Sequence, residues 1–210
     1  AYRTLRENII SLDLEPGAPF NDVEMSQMIG ISRTPVREAV IQLSEESRII
    51  EIFPQRGMRI ALIDVDLVEE ARFLRLVLEK AAVELVCGEA DEEDLQWLDE
   101  NIRLQEFYLE GGSSRKLLEL DNEMHRKLFS ICRKELTYEM CQRLAIHYDR
   151  IRSLSVAAVK DHKIIEDHKK LLEAIRSRDK KEAAETMDLH LNRWMMNEQM
   201  FRNQYPAYFK

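Results

Sequence analysis

The sequence predicts a mainly α-helical chain in two parts: an N-terminal winged helix-turn-helix domain over residues 1–63 and a C-terminal antiparallel six-helix bundle over 64–210. Three observations carry that reading. Two capped amphipathic stretches follow one another directly between Asn21 and Leu43, short β-prone runs flank Pro54 to Gly57, and the chain then turns acidic and nearly glycine-free with helical periodicity.

The first helix spans about Tyr2 to Ser11. Asn21 and Asp22 can cap the next, whose apolar residues Val23, Met25, Met28 and Ile29 follow a near 3.6 period, and Gly30 supplies a left-handed exit. A further helix starts at once. Ser32 is its N-cap and Pro35 sits in the first turn, where the missing N–H costs nothing. Val36, Ala39, Val40 and Leu43 form its buried stripe, which leaves Arg33, Thr34 and Arg37 facing out. Ile49 to Ile60 then reads as a hairpin with Arg56 at its tip, a wing.

The exposed trio lies at the helix end that a recognition helix pushes into the major groove, and arginine grips guanine edges with two hydrogen bonds. Double-stranded DNA is therefore the first expected partner. The run Ser-Arg-Thr-Pro-Val-Arg-Glu-Ala from Ser32 to Ala39, followed by the Gln-Arg-Gly hairpin, resembles the winged helix of GntR-family bacterial transcription regulators. That resemblance implies that Ser32 and Pro35 shape the motif, that Arg33, Thr34 and Arg37 meet bases and phosphates, and that Arg56 with Gly57 reaches the minor groove or backbone. The chain departs from the family at Glu46-Ser47-Arg48, where Glu-Gly-Leu is usual, which bears on how the recognition helix ends.

Overall charge does not announce a nucleic-acid binder. Residues 1–63 hold seven Arg against nine Asp or Glu, so a basic face has to be local, built from Arg33, Arg37, Arg56 and Arg59. One winged helix reads few base pairs, so a homodimer on a palindromic operator is expected, doubling the phosphate contacts. The first and fourth helices of the bundle are its candidate interface, because Leu74, Leu76, Val77, Leu78 and Leu85 exceed one apolar stripe.

At 210 residues and 45% hydrophobic content the chain can fill two modest cores. No run of eighteen apolar residues and no basic-then-apolar leader pattern is present, which predicts no membrane insertion and no export. Cys87, Cys132 and Cys141 match no zinc or redox spacing, and a reducing cytoplasm is the expected setting.

Six helices are expected at about 64–87, 91–110, 113–132, 135–159, 161–177 and 179–203. Breaks fall at Gly88, Gly111-Gly112, Arg133-Lys134, Lys160-Asp161 and Arg178-Asp179, with Asp91, Ser113, Asp161 and Asp179 as caps.

Asp121 and His125 stand four residues apart on one helix face, flanked by Leu117, Leu118, Leu128 and Phe129, so both point toward the core. His168 and His190 share that embedding, and three bundle helices can converge there. Taken singly, each histidine is an ordinary core or surface residue. Together, three imidazoles and a carboxylate suit zinc, manganese, nickel or ferrous iron, with positions left open for a ligand. The Asp-x-x-x-His helix, the Asp-His-x-x-Leu helix and the final helix bearing His190 resemble the FCD ligand domain of the FadR subfamily, in its smaller, six-helix VanR-like form. The resemblance implies a divalent metal, zinc first and manganese or nickel next, on Asp121, His125, His168 and His190. It also implies that Arg75, four residues before Glu79, faces the cavity and clamps the carboxylate of a small organic acid; the alternative is a salt bridge to Glu79 or Glu70. His147 and His162 match no motif and read as surface or supporting residues.

The expected function is a transcriptional regulator, a repressor, that senses a small carboxylate through a bound metal and catalyses nothing. Two alternatives stand beside it: the metal itself as signal, or a metal-dependent enzyme fused to a DNA reader.

Overall fold

The computed structural model describes residues 1–158 and 162–210; the expected break at Lys160-Asp161 and the Asp161 cap lie outside the described residues. The N-terminal part holds α1 (Tyr2–Ile10), β1 (Pro19–Phe20), α2 (Asp22–Ile29), α3 (Arg33–Ser47), β2 (Ile50–Phe53) and β3 (Gly57–Ile60). Its core gathers Leu5, Ile9, Met25, Val36, Val40, Leu43 and Ile60. The strands form one antiparallel sheet in the order β1-β3-β2, with Phe53 opposite Gly57. The expected wing is present, and β1 is an addition: two residues carry too little periodicity to declare a strand. Gly57 closes the hairpin at φ +96, where an L side chain is strained.

The turn of the helix pair forms as expected. Asn21 accepts from the Val23 and Glu24 amides, and Gly30 exits α2 at φ +75. Two expectations need correction. Ser32 is the N-cap of α3 by position, yet its side chain makes no capping hydrogen bond. On α2, Val23 and Met28 are exposed and only Met25 is buried among the four apolar residues, because this short helix meets α3 along a narrow edge. The departure at residues 46–48 falls at the exit of α3. Ser47 is the last helical residue, and Arg48 makes the left-handed turn at φ +55.

The helical part comprises α4 (Val65–Glu89), α5 (Glu92–Glu110), α6 (Ser114–Ile131), α7 (Glu135–Ala158), α8 (Lys163–Arg176) and α9 (Lys180–Asn192). Helix α4 packs on α7 and α9, α5 on α6, and α8 on α9. Capping explains several boundaries. Asp91 forms a reciprocal capping box with Asp94, Asp179 accepts from the Glu182 amide, and Arg133 and Arg178 make left-handed exits. Ser113, expected to cap α6, makes no side-chain capping bond, and α4 continues through Gly88.

The last expected helix, 179–203, is broken. Helix α9 gives way to a 3-10 turn at Arg193–Asn197 and then α10 (Glu198–Gln204). At the break the Tyr148 hydroxyl donates to the Leu191 carbonyl at 2.9 Å, taking an acceptor from the helical ladder. After α10 the chain returns to the junction between the two parts, where Ile63 pairs in parallel with Phe209.

The N-terminal part rests on α7. Ile146 joins the N-terminal core, Arg6 donates to the Gln142 carbonyl at 3.0 Å, and Arg150 donates to the Ala61 carbonyl at 2.6 Å. His147, read from sequence as surface or supporting, is 1% exposed and meets the Ser47 carbonyl, whereas His162 is exposed.

Candidate metal centre and DNA-reading face

Four side chains from three helices meet. Asp121 and His125 come from α6, His168 from α8 and His190 from α9, and one ligand atom of each lies within 4.8 Å of all the others. Asp121, His125 and His168 are buried, and Nε2 of His125 and of His168 have no hydrogen-bond partner in the described structure. Buried, unsatisfied nitrogens aimed at a carboxylate are costly unless something accepts their lone pairs. Burial first, and then His190, His125 and Arg152, pull the His168 pKa well below its usual value. Burial likewise takes His190 to about 4, against the opposing pull of Asp167. Both rings are thus held neutral, the state in which imidazole ligates. An N₃O donor set of this kind fits a divalent cation.

The surroundings of the cluster were largely unforeseen. Glu79 Oε2 lies 2.5 Å from His125 Nδ1, and Gln105 Oε1 lies 2.9 Å from His168 Nδ1. Asp167 Oδ2 approaches His190 Nδ1 at 3.8 Å while Arg193 grips the same carboxylate. Burial raises the Glu79 pKa, but Arg75 and His125 outweigh it and hold the carboxyl below the usual range.

Arg75 is 2% exposed and donates through Nε to Glu79 at 2.7 Å, as the salt-bridge alternative expected. Its guanidinium stacks 5.1 Å from the Tyr148 ring centroid, and Nη1 has no hydrogen-bond partner among the described residues. The cavity beside the cluster, about 40 Å³, is lined by Asp121, Tyr148, Arg152, Ser155, His190 and Arg193 among others; Arg75 is not in its wall. Arg152 bonds Asp121 and donates to Asp149 at 2.8 Å and to Asn122 at 2.7 Å. Burial and the nearby charge of Arg75 both work against the Arg152 cation. An anion entering here would meet a guanidinium already held between Asp121 and Asp149.

The face that the sequence predicts to read DNA lies at the start of α3. Arg33, Thr34 and Arg37 are exposed, and so are Arg56 and Gly57 at the tip of the wing. Both helix arginines reach Asp22 at 3.1 Å, so an acid at the start of α2 offsets part of their charge. Hydrogen bonding by Arg33 leads the causes that lower the Asp22 pKa. Arg59, expected in the basic face, is instead bonded to Glu51 at 2.8 Å.

A winged helix with arginines at the start of its second helix, joined to a helical bundle, is the architecture of a DNA-binding transcription regulator. Residues 1–60 match the model of bacterial regulatory proteins of the gntR family, and residues 70–193 match the FCD domain. The chain belongs to the GntR family and carries an FCD domain. It is 30% identical over 191 residues to the HTH-type transcriptional repressor RspR of Escherichia coli K12, covering 90% of this chain and 83% of RspR. It is 26% identical over 197 residues to the regulator YdhC of Bacillus subtilis 168, covering 91% and 86% of the two chains. In fold it is similar to Escherichia coli McbR/YncC, with a TM-score of 0.82 at 20% identity over 97% of this chain and 96% of that one. A GntR regulator from Rhodococcus sp. RHA1 gives 0.75 at 19% identity over 95% and 94%. These relatives are transcriptional regulators, and the enzyme alternative is set aside.

Proposed function

We propose that this regulator is a repressor whose helical domain, residues 64–210, holds a divalent metal on Asp121, His125, His168 and His190 and answers to a small carboxylate bound beside it. The convergence of those four side chains, with two orphaned imidazole nitrogens, is the observation that carries this reading. When bound, the ion supplies a Lewis-acid anchor for an anionic oxygen. Arg152 is the residue to grip the rest of the carboxylate, with Arg193 in the same wall and Arg75 adjoining through Tyr148. An anion that draws Arg152 from Asp121 also loosens its bond to Asp149 on α7. That helix carries His147 and Arg150, which hold the end of α3 and the junction, so a shift of α7 reorients the DNA reader.

In the reader, residues 1–63, Arg33, Thr34 and Arg37 take bases and phosphates, with Ser32 and Pro35 setting the helix start and Arg56 with Gly57 following the minor groove. The repressor assignment follows the name of RspR. A homodimer on a palindromic operator, in the cytoplasm, completes the proposal. Exposed Phe73 and Val77 on α4 and Leu136 and Met140 on α7 support a two-fold interface through these helices. No helix among the described residues is long and apolar enough to cross a membrane.

The test is metal analysis of the purified protein and of its Asp121→Ala and His190→Ala forms, followed by operator titration with small organic acids. Stoichiometric metal lost in both variants, and an acid that weakens operator binding only in the metal-loaded protein, are expected. A metal-free protein whose operator affinity ignores chelators and acids alike ends the proposal. A second reading makes the ion itself the signal, and the small cavity favours it. Operator affinity that follows added zinc with no acid present decides for it.

A further inference from the structure

Two polar residues inside α5, Asn101 and the Gln105 that meets His168, have been given no role so far. Asn101 is 4% exposed and Gln105 0%, among the apolar residues Leu98, Ile102 and Leu109. Burying two amides in an apolar stripe is unfavourable unless every group is paired in a useful direction. Asn101 Nδ2 donates to the Leu120 carbonyl at 3.1 Å, and that oxygen can only accept. Its Oδ1 is therefore left to accept from Gln105 Nε2 at 2.7 Å, which in turn leaves Gln105 Oε1 facing His168 Nδ1 at 2.9 Å.

We propose that Asn101 and Gln105 form a one-way hydrogen-bond chain, anchored on the backbone next to Asp121, that locks His168 with its proton on Nδ1 and its Nε2 lone pair toward Asp121. The inference rests on the metal reading for its purpose, though not for its geometry. Each amide has a single orientation because the chain starts at an acceptor and each link fixes the next. His168 Nε2 lies 3.4 Å from Asp121 Oδ1, on the cluster side. Asn101 and Gln105 are positioning residues: they touch no ion, and they select which ring nitrogen is offered.

Nitrogen-15 NMR of the histidine rings in the metal-free full chain, together with zinc affinity by competition, tests this. In the wild type His168 is expected almost wholly in the Nδ1–H form. Gln105→Leu should give mixed tautomers and about a tenfold to hundredfold loss of zinc affinity. Asn101→Leu frees the Gln105 amide to flip and should give a smaller loss of the same kind. Gln105→Glu still accepts from Nδ1–H and should keep the Nδ1–H tautomer, although it gives up the donor to Asn101 Oδ1; a merely structural residue would not show that retention. A dominant Nε2–H form in the wild type, or undiminished zinc affinity in folded Gln105→Leu, overturns the proposal. Should the wild type bind no zinc, the metal reading fails, and the tautomer spectrum still decides whether the chain of amides acts as stated.

Discussion

His147 Nε2 lies 2.6 Å from the carbonyl oxygen of Ser47, tying the middle of α7 to the last turn of α3. The carbonyl accepts, so Nε2 carries the proton, and the Nδ1 lone pair faces Arg150 Nη2 at 3.5 Å. A second proton would have to face that guanidinium in a buried place. Burial, and then Arg150, accordingly pull the His147 pKa to about 4, with the Ser47 carbonyl and Asp64 opposing.

This depressed value fixes a sign. The unfolded chain protonates His147 near its usual value of 6.5, the folded chain only near 4, so its contribution is fully present above 6.5 and is lost as pH falls toward 4. The loss is on the order of 3 kcal/mol at most. Urea unfolding at neutral pH and near pH 4.5 should show a smaller pH difference for His147→Gln than for the wild type. Equal differences would remove His147 from the account.

Asp22 holds Arg33 and Arg37 while DNA is absent. Asp22→Asn should tighten binding to a random-sequence duplex, roughly threefold to tenfold at low ionic strength, with the gain shrinking as salt screens it. Fluorescence anisotropy at two salt concentrations checks this. Weakened binding would mean instead that Asp22 pre-arranges the arginines.

Arg48 occupies a left-handed conformation at the exit of α3, with its side chain exposed. Arg48→Gly should relieve the backbone and raise stability by about 1 kcal/mol, at unchanged operator affinity. Thermal unfolding decides the first part, and a lowered midpoint would contradict it.

Arg152 competes with any cation for Asp121. Arg152→Gln, which lifts that competition, should therefore bind zinc at least as tightly as the wild type and should no longer respond to organic acids. Zinc competition and acid titration of operator binding read the two effects separately. A variant that loses zinc but keeps its acid response would reverse the roles assigned here.

Much of this was legible in the sequence, for identifiable reasons. The Asp121–His125 pair shows because four-residue spacing on an apolar face is a local signal, and His168 and His190 repeat that embedding on their own helices. The recognition helix shows because Ser32 to Ala39 is a contiguous run. What surrounds the cluster depends on which helices meet, and spacing along one chain does not encode that. Glu79 was weighed only as a partner for Arg75, and its approach to His125 joins α4 to α6. Arg152 carried no motif at all. Asn101 and Gln105 did leave a trace, as polar residues where Leu98, Ile102 and Leu109 set an apolar stripe. The charge-offsetting role of Asp22 was hidden by its position as a plausible helix-start acid. The final helix breaks beside Leu191, whose carbonyl accepts from a hydroxyl 43 positions away, a contact that no local pattern encodes.

The parallel pairing of Ile63 with Phe209 closes the helical part into a clasp whose two ends sit side by side. The stretch that leaves His190 passes through the 3-10 turn and α10 and reaches the junction between the two parts. Any transplant of the helical part onto a different N-terminal domain must therefore carry residues 206–210 with it, because a chimera cut after α10 would leave the clasp open.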